Sequence, residues 1–361
     1  MNVLLSSHGA SLFGAERVLL ALATGLARRG HTVTLEFPHE GPALDVANGL
    51  PGVRTVVSGR ARLPRNARGV AHWALHTPAS IRAFQRIITE SACDVVWVNS
   101  MYNLGVALAA RASRVPAVWH LHERNFPGAA GLVMRQCVRA CSRVAVAPSS
   151  FVARSFDGRA APALRVVPNA LLAALEPLPP AADDAFRVGY IGQFEPRKRA
   201  PDVVHAVARL PGASAVLVGD GKARATVEQA IAHCNLAGRV GITGFREDIR
   251  TALDGCTCIA IPSRNEPFGL VALEAMALGL PVVAADSGAL PDVLADAALY
   301  YPTGDVAALA ACLARLRDDA ALRATLRARG LERVRTFTLD RMLDGVESAL
   351  DDAVGVQRVS A

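Results

Sequence analysis

Glu266 and Glu274 frame the part of the chain richest in chemistry, PSRNEPFGLVALEAMALGLPVVAADSGALPDVL, residues 262–294. The pattern predicts a strand ending at Pro262, a loop SRNE, and a helix beginning at Pro267, where a first-turn proline costs no hydrogen bond. The backbone N–H groups of Phe268, Gly269 and Leu270 would then stand free at a helix start, where the macrodipole adds positive potential. A diphosphate fits such a place. Glu266 falls just outside that helix and Glu274 two turns in. Eight residues turn through about 800°, about 80° from alignment, so both carboxylates can border one ligand from different depths. Read alone, the pair is better explained by one acid at a helix N-terminus and one facing solvent.

Cations supply the second clue. Of 39 basic residues only two are lysines, Lys198 and Lys222. A chain that writes arginine nearly everywhere and keeps a lysine marks a place for a compact ammonium. Lys198 lies in YIGQFEPRKRA, residues 190–200, with Arg197 beside it and Gln193 upstream. The plain alternative is a solvated loop cation.

His120 and His122 share one strand face in AVWHLHERNFPG, where a histidine also reads as structural. Gly14 opens the first predicted helix and lets backbone approach a ligand closely. Ser287-Gly288 reads as a plain turn. The seven cysteines are scattered and odd in number. Cys256 and Cys258 have no further ligands nearby, which points to buried thiols rather than zinc. No Asp-x-Asp occurs, and no divalent metal is expected.

Elements of alternating type must position these residues. NVLLS, HTVTLEF, VRTVV, DVVWVNS, AVWHLH and RVAVAPS read as strands. Amphipathic helical stretches separate them, the first being GAERVLLALATGLARRG with Gly30 as its stop. Strand, helix and strand within about 37 residues make a crossover unit of a parallel sheet. The pattern lapses near 170–185 into a Pro-rich, polar linker. It restarts with FRVGYIG, ASAVLVGDG, VGITG, CIAIPS and PVVAAD, and helices dominate from 305 onward. The expected architecture is α/β: one Rossmann-like domain over 1–170, a second over 186–338, and a terminal helix within 339–361 returning to the first domain. Ligands bind at the carboxyl ends of such sheets. The first turn, SSHGASLFGAE, lacks G-x-G-x-x-G, and no P-loop occurs, which argues against a dehydrogenase or an NTPase.

Residues 1–170 hold 19 arginines and no lysine against 8 acidic residues, a net charge of about +11. The remainder holds 20 basic and 24 acidic residues, about −4. The first half thus attracts anions, whether an acceptor or an anionic membrane face. Nucleic acid is not expected, because no aromatics interleave the cations and no binding module is visible. GRARLPRNARGVAHWALH, residues 59–76, sets cations beside an apolar run containing Trp73, which suits a membrane interface as well as a loop over the cleft. The N-terminus has no basic n-region of a signal peptide, and no apolar run is long enough to span a bilayer. The expected location is cytoplasmic, peripheral at the inner membrane face.

The segment 262–294 resembles the signature of retaining glycosyltransferases of the GT-B fold, family 4, which carry Glu-x7-Glu within E-P-F-G-L-x-x-x-E-A-M-A. FGAERV (13–18), VGDG (218–221) and ITGFRED (242–248) resemble further motifs of that family in order along the chain. The resemblance implies two Rossmann-like domains facing across a cleft and a UDP- or GDP-linked sugar as co-substrate, with no other cofactor. It implies that Glu266 meets the donor sugar's hydroxyls, that Glu274 binds the ribose, and that Lys198 neutralises the leaving diphosphate. Phe268, Gly269, Leu270, Gln193, Arg197 and Gly14 would line the donor, and His122 would contact the transferred sugar near its reacting carbon. His120 is open as its substitute. Gln193 stands where the family has arginine, Arg199 where it has glycine, and Phe13 where it has the first glycine of its opening. The acceptor implied is a glycan, a lipid-linked sugar or a small molecule. An epimerase or phosphorylase on the same fold, or a nucleotide-sugar-binding protein with weakened catalysis, stays open as the alternative.

Overall fold

The computed structural model describes residues 1–60, 67–156, 163–180 and 186–359, with backbone alone over 67–76 and 356–359. The side chains of 61–76, which carry most of the cationic stretch and its Trp73, lie outside the described residues. The chain forms two compact units: Met1–Leu172 with Leu339–Ala361, and Ala173–Thr338.

The first unit holds a seven-stranded sheet: β1 Asn2–Ser6, β2 Thr32–Phe37, β3 Val53–Val57, β4 Val95–Asn99, β5 Ala117–His120, β6 Val144–Ala147 and β7 Ala163–Val166. Their order is β3-β2-β1-β4-β5-β6-β7, and every pairing is parallel. Central strands such as VVWVN of β4 are buried along their whole length, because helices cover both faces of a parallel sheet. The order reverses at β1, so β2 and β4 flank it. At such a switch point the loops diverge and leave room for a ligand.

The second unit repeats the plan with six parallel strands: β8 Arg187–Ile191, β9 Ser214–Val218, β10 Val240–Gly244, β11 Cys258–Ile261, β12 Val282–Ala285 and β13 Ala298–Tyr301. Their order, β10-β9-β8-β11-β12-β13, puts the switch between β8 and β11. Tyr190, Phe194, Val203, Leu217, Val283 and Leu313 anchor its core.

The Pro-rich segment near 170–185 is not wholly a free linker. Leu178 is buried, its N–H donates to Leu278 O at 2.9 Å, and Arg327 Nη2 donates to its carbonyl at 2.6 Å. The apolar Leu178 seats the segment on the second unit.

The terminal helix Leu339–Val359 packs on the first helix, Gly14–Arg28, and on β4, β5 and β6. Gly25 has no side chain where Leu343 lies, and Gly345 none where Val167 lies; an added Cβ would stand 2.6 Å and 2.9 Å from them. Around this close contact Arg29 reaches Asp340, Asp344 and Glu347 at 3.2, 2.7 and 2.6 Å, and His31 Nε2 meets Glu347 at 2.9 Å.

Candidate functional site

In the second unit the loops after β8 and β11 bring Arg197, Lys198 and Glu266 together. Lys198 ends a short 3-10 turn, Pro196–Lys198. Its Nζ lies 2.7 Å from Glu266 Oε2, with Arg197 Nη1 at 3.6 Å from the same oxygen. A bond from Arg264 N–H to the Arg197 carbonyl, 2.7 Å, ties the two loops by their backbones. Glu266 is 6% exposed. Burial works to raise its carboxyl, but Lys198 and Arg197, with hydrogen bonds from Lys198 and Ser263, outweigh it and hold the group below its ordinary range. The site thus carries a buried carboxylate and two cations that a diphosphate could draw on.

Arg199, where a glycine is usual in the resembling family, sits at φ +52°, a left-handed conformation that favours glycine. Its guanidinium offsets the strain by a fork onto Asp202, Nε to Oδ2 at 2.6 Å and Nη2 to Oδ1 at 3.1 Å. The loop holding half-buried Gln193 lies against the VGDG turn. Phe194 N–H donates to Asp220 O at 2.8 Å, and a Cβ on Gly219 would stand 2.0 Å from Gly192 O. Glycine at 219 is what allows the two turns to meet.

The helix after β11 corrects the sequence reading. It runs Leu270–Ala277, not from Pro267, because Gly269 at φ +99° breaks the helical path. Pro267 and Phe268 precede it, and Phe268 is buried with its ring 6.0 Å from that of Phe337. Phe268 therefore packs the loop, while Gly269 and Leu270 form the helix start. Glu274 lies one turn into the helix rather than two, and is buried. The angular relation drawn between the two glutamates does not hold, since residues 266–269 are not helical.

Ser287-Gly288 is more than a plain turn. Ser287 Oγ accepts from Asn265 N–H at 2.8 Å, and Ala289 N–H donates to Glu266 O at 2.8 Å. Gly288, at φ +70°, lies so close that a Cβ there would fall 2.3 Å from Glu266 O and 2.4 Å from its N. The turn after β12 thus fixes the backbone of Glu266. The signal available in the sequence was a glycine directly after a buried strand, which does not reveal its neighbour.

In the first unit the carboxyl ends of β1, β4 and β5 gather His8, Glu16, Asn99, Ser100, His120 and His122. The two histidine rings lie 3.9 Å apart by centroid, and Trp97 packs edge-on to His120 at 5.1 Å. His122 Nε2 meets Asn99 Oδ1 at 2.6 Å, while Asn99 Nδ2 donates to Ala15 O at 3.5 Å. That orientation of the amide makes His122 Nε2 the donor and leaves Nδ1 as an acceptor. Asn99 also links His122 to the backbone beside Gly14. Neither ring nitrogen of His120 has a hydrogen-bond partner among the described residues. Burial pushes His120 down to about 3, and burial together with His120 and His8 holds His122 well below its usual value. Both rings are neutral at pH 7. His8 Nδ1 lies 3.2 Å from Glu16 Oε1. Ser100, at φ +78°, is held by its Oγ on Glu123 at 2.8 Å and by Trp119 Nε1 on its carbonyl at 2.9 Å. Such strain at a strand end accompanies functional loops. Asn99 and Ser100 were visible as polar residues closing an apolar strand, but not as partners of a histidine.

Comparison with known proteins follows the same division. The family model described as Glycosyltransferase Family 4 matches residues 14–171, and that described as Glycosyl transferases group 1 matches 178–333. The D-inositol 3-phosphate glycosyltransferase of Stackebrandtia nassauensis is 36% identical over 197 residues, covering 49% of this chain and 44% of the relative. The lipopolysaccharide core biosynthesis glycosyltransferase LpsD of Rhizobium meliloti is 36% identical over 169 residues, covering 44% and 49%. The chain spans about half the length of the curated relatives it matches. Among solved structures, Anabaena Alr3699/HepE in complex with UDP and glucose superposes with a TM-score of 0.81 at 22% identity, over 97% of this chain and 99% of that one. Sucrose-phosphate synthase of Thermosynechococcus elongatus gives 0.80 at 22%, over 96% and 97%. The fold is GT-B.

Proposed function

The chain belongs to the family 4 glycosyltransferases of the GT-B fold, and from that we propose that it moves a sugar from a UDP- or GDP-sugar to an acceptor with retention of configuration. The observation that carries this is the cluster of Lys198, Arg197 and Glu266 at the switch point of the second sheet. In the transfer, the bond between the sugar's anomeric carbon and the diphosphate breaks as an acceptor hydroxyl bonds to that carbon on the same face, its proton passing to the departing phosphate oxygen. Negative charge grows on the departing diphosphate. Lys198 and Arg197 meet that charge, and groups fixed before the reaction stabilise it most. Glu266, released from Lys198 as the phosphate takes the ammonium, accepts from sugar hydroxyls. Glu274 accepts from the ribose, and the Gly269–Leu270 helix start faces the phosphates. Two cations and a helix end can serve where a metal would otherwise stand, so the reaction is metal-independent in this reading. His122, neutral and offering Nδ1, contacts the transferred sugar.

A structural neighbour, Anabaena Alr3699/HepE, holds UDP and glucose, which supports a nucleotide-sugar donor here. The net charge of about +11 over residues 1–170 supports an anionic or lipid-linked acceptor and peripheral contact with the cytoplasmic membrane face. No helix among the described residues is long and apolar enough to cross a membrane.

The test is a thermal-shift screen of nucleotides and nucleotide-sugars. Ligand at a hundred times its dissociation constant adds roughly 2.7 kcal/mol, and UDP or GDP should exceed the monophosphates because the cations read the diphosphate. A transfer and hydrolysis assay with the best donor then separates a transferase from an epimerase or phosphorylase. No shift with any nucleoside diphosphate would end this reading.

A further inference from the structure

The helix Gly128–Cys141 spends one face on the core and leaves the other exposed among the described residues. Gly131, Met134, Val138 and Cys141 point inward. Ala129, Leu132, Val133, Gln136 and Ala140 are exposed, and they fall within an arc of about 100° on the opposite side. Leu132 and Val133 are 52% and 62% exposed, large apolar side chains adjacent on one surface.

Arginines border this stripe along one edge and at one end. Arg135 and Arg139 border it along one edge, one turn apart. Arg111, from the preceding helix Leu104–Ala112, hydrogen-bonds the Ala140 carbonyl, which places another cation at the far end. No acidic residue occurs between Glu123 and Asp157, a stretch that includes five arginines.

We infer that this helix face docks on a bilayer bearing anionic lipids, with Leu132 and Val133 in the headgroup–acyl boundary and Arg135 and Arg139 on lipid phosphates. The inference rests on the membrane contact proposed above and assigns it to this helix rather than to residues 59–76. A helix with an apolar outer stripe and basic flanks is suited to lie in an interface. A second copy of the chain fits the face poorly. A two-fold contact through it would set Arg135 and Arg139 against their own copies, and two large apolar side chains offer little toward the roughly 1,200 Å² of a stable protein interface.

The experiment is co-sedimentation with phosphatidylcholine vesicles made with and without phosphatidylglycerol, at low and high salt. The wild-type chain should pellet with the anionic vesicles and be released by salt. Arg135→Gln with Arg139→Gln should lower partitioning roughly thirtyfold, since each surface cation contributes about 1 kcal/mol. Leu132→Ser with Val133→Ser should lower it at least tenfold while leaving the salt dependence in place. All four side chains lie outside the core, and unchanged melting temperatures check that the variants fold. If both double variants bind as the wild type does, while Trp73→Ala does not, docking belongs to residues 59–76 and this assignment is overturned. Wild-type protein that ignores both vesicle types overturns the membrane contact itself. Self-association in sedimentation velocity that Leu132→Ser with Val133→Ser abolishes would make a second copy the occupant instead.

Discussion

At the carboxyl edge of the first sheet, buried His120 and His122 are neutral, and Nδ1 of one is left to accept a hydrogen bond. At the same edge of the second sheet, buried Glu266 is charged and already matched by Lys198 and Arg197. The two sites follow one topological rule and use opposite electrostatics. The histidine pair costs little to hold open, because neither neutral ring demands a counterion. A charged site is held shut by its own ions until a ligand offers a better match. The difference separates contact with an uncharged sugar from the handling of a diphosphate, as proposed for the two units.

The largest expected effect breaks the charged side. Lys198→Ala leaves buried Glu266 with the Ser263 hydrogen bond and the more distant Arg197, at 3.6 Å. Turnover should fall on the order of 10²–10³-fold, as when a preorganised charge-stabilising donor is lost, and UDP or GDP affinity should drop with it in calorimetric titration. Unchanged nucleotide affinity would remove Lys198 from the site. Glu266→Gln should act mainly on kcat and Glu274→Gln mainly on nucleotide affinity. Normal kinetics in both would refute their assigned roles.

Next in size is the turn beneath Glu266. Gly288→Ala puts a methyl group where the Glu266 backbone already lies and adds the strain of a left-handed φ, about 1–2 kcal/mol. The loop must shift, so kcat should fall tens-fold with less change in nucleotide affinity. Ser287→Ala, which removes only the hydroxyl that accepts from Asn265, should cost less. Wild-type kcat in Gly288→Ala would show that Glu266 needs no such support.

The neutral side is tested by pH. His120 stays unprotonated in the folded chain down to about 3, whereas the unfolded chain takes up a proton below about pH 6.5. Stability is therefore full above about pH 6.5 and declines as pH falls toward 3, by roughly 2 kcal/mol at pH 5. His120→Leu should flatten this slope in denaturant melts at pH 7 and pH 5. It should also cost little at pH 7, because neither ring nitrogen has a hydrogen-bond partner among the described residues to lose. Equal pH slopes in the two proteins would mean that the ring is not held neutral by burial.

The smallest expected effect is none. Activity should survive EDTA, since two cations and a helix start are proposed to take the diphosphate charge. Loss on chelation with recovery on Mg²⁺ or Mn²⁺ would place a metal among them.

Much of the fold was legible because fully buried parallel strands are written as apolar runs, as in VVWVN and CIAI. What escaped were β7 and β13, four-residue strands at the sheet edges with partly exposed residues, too short for periodicity to mark. At the site, Lys198 stood out by rarity and Glu266 by its motif, but not their bond, since sequence distance says nothing of which loops a switch point brings together. The helix start was misplaced because Pro267 mimics a first-turn proline, while the break is set by Gly269 in a left-handed conformation. Gly288 could not be told from any turn glycine, because its requirement comes from a backbone 22 residues earlier in the chain.

The terminal helix has a consequence for how the protein is made. The first unit lacks the piece that packs on Gly25 and meets Arg29 until residues 339–359 leave the ribosome. The whole second unit, Ala173–Thr338, is synthesised in between. At about 5–20 residues per second the wait is on the order of ten to thirty seconds. During it the surface at Gly25 is without Leu343, the side chain that packs there in the finished chain. The half of the chain translated first is thus the half finished last, and the second unit can complete its own core while the first still waits.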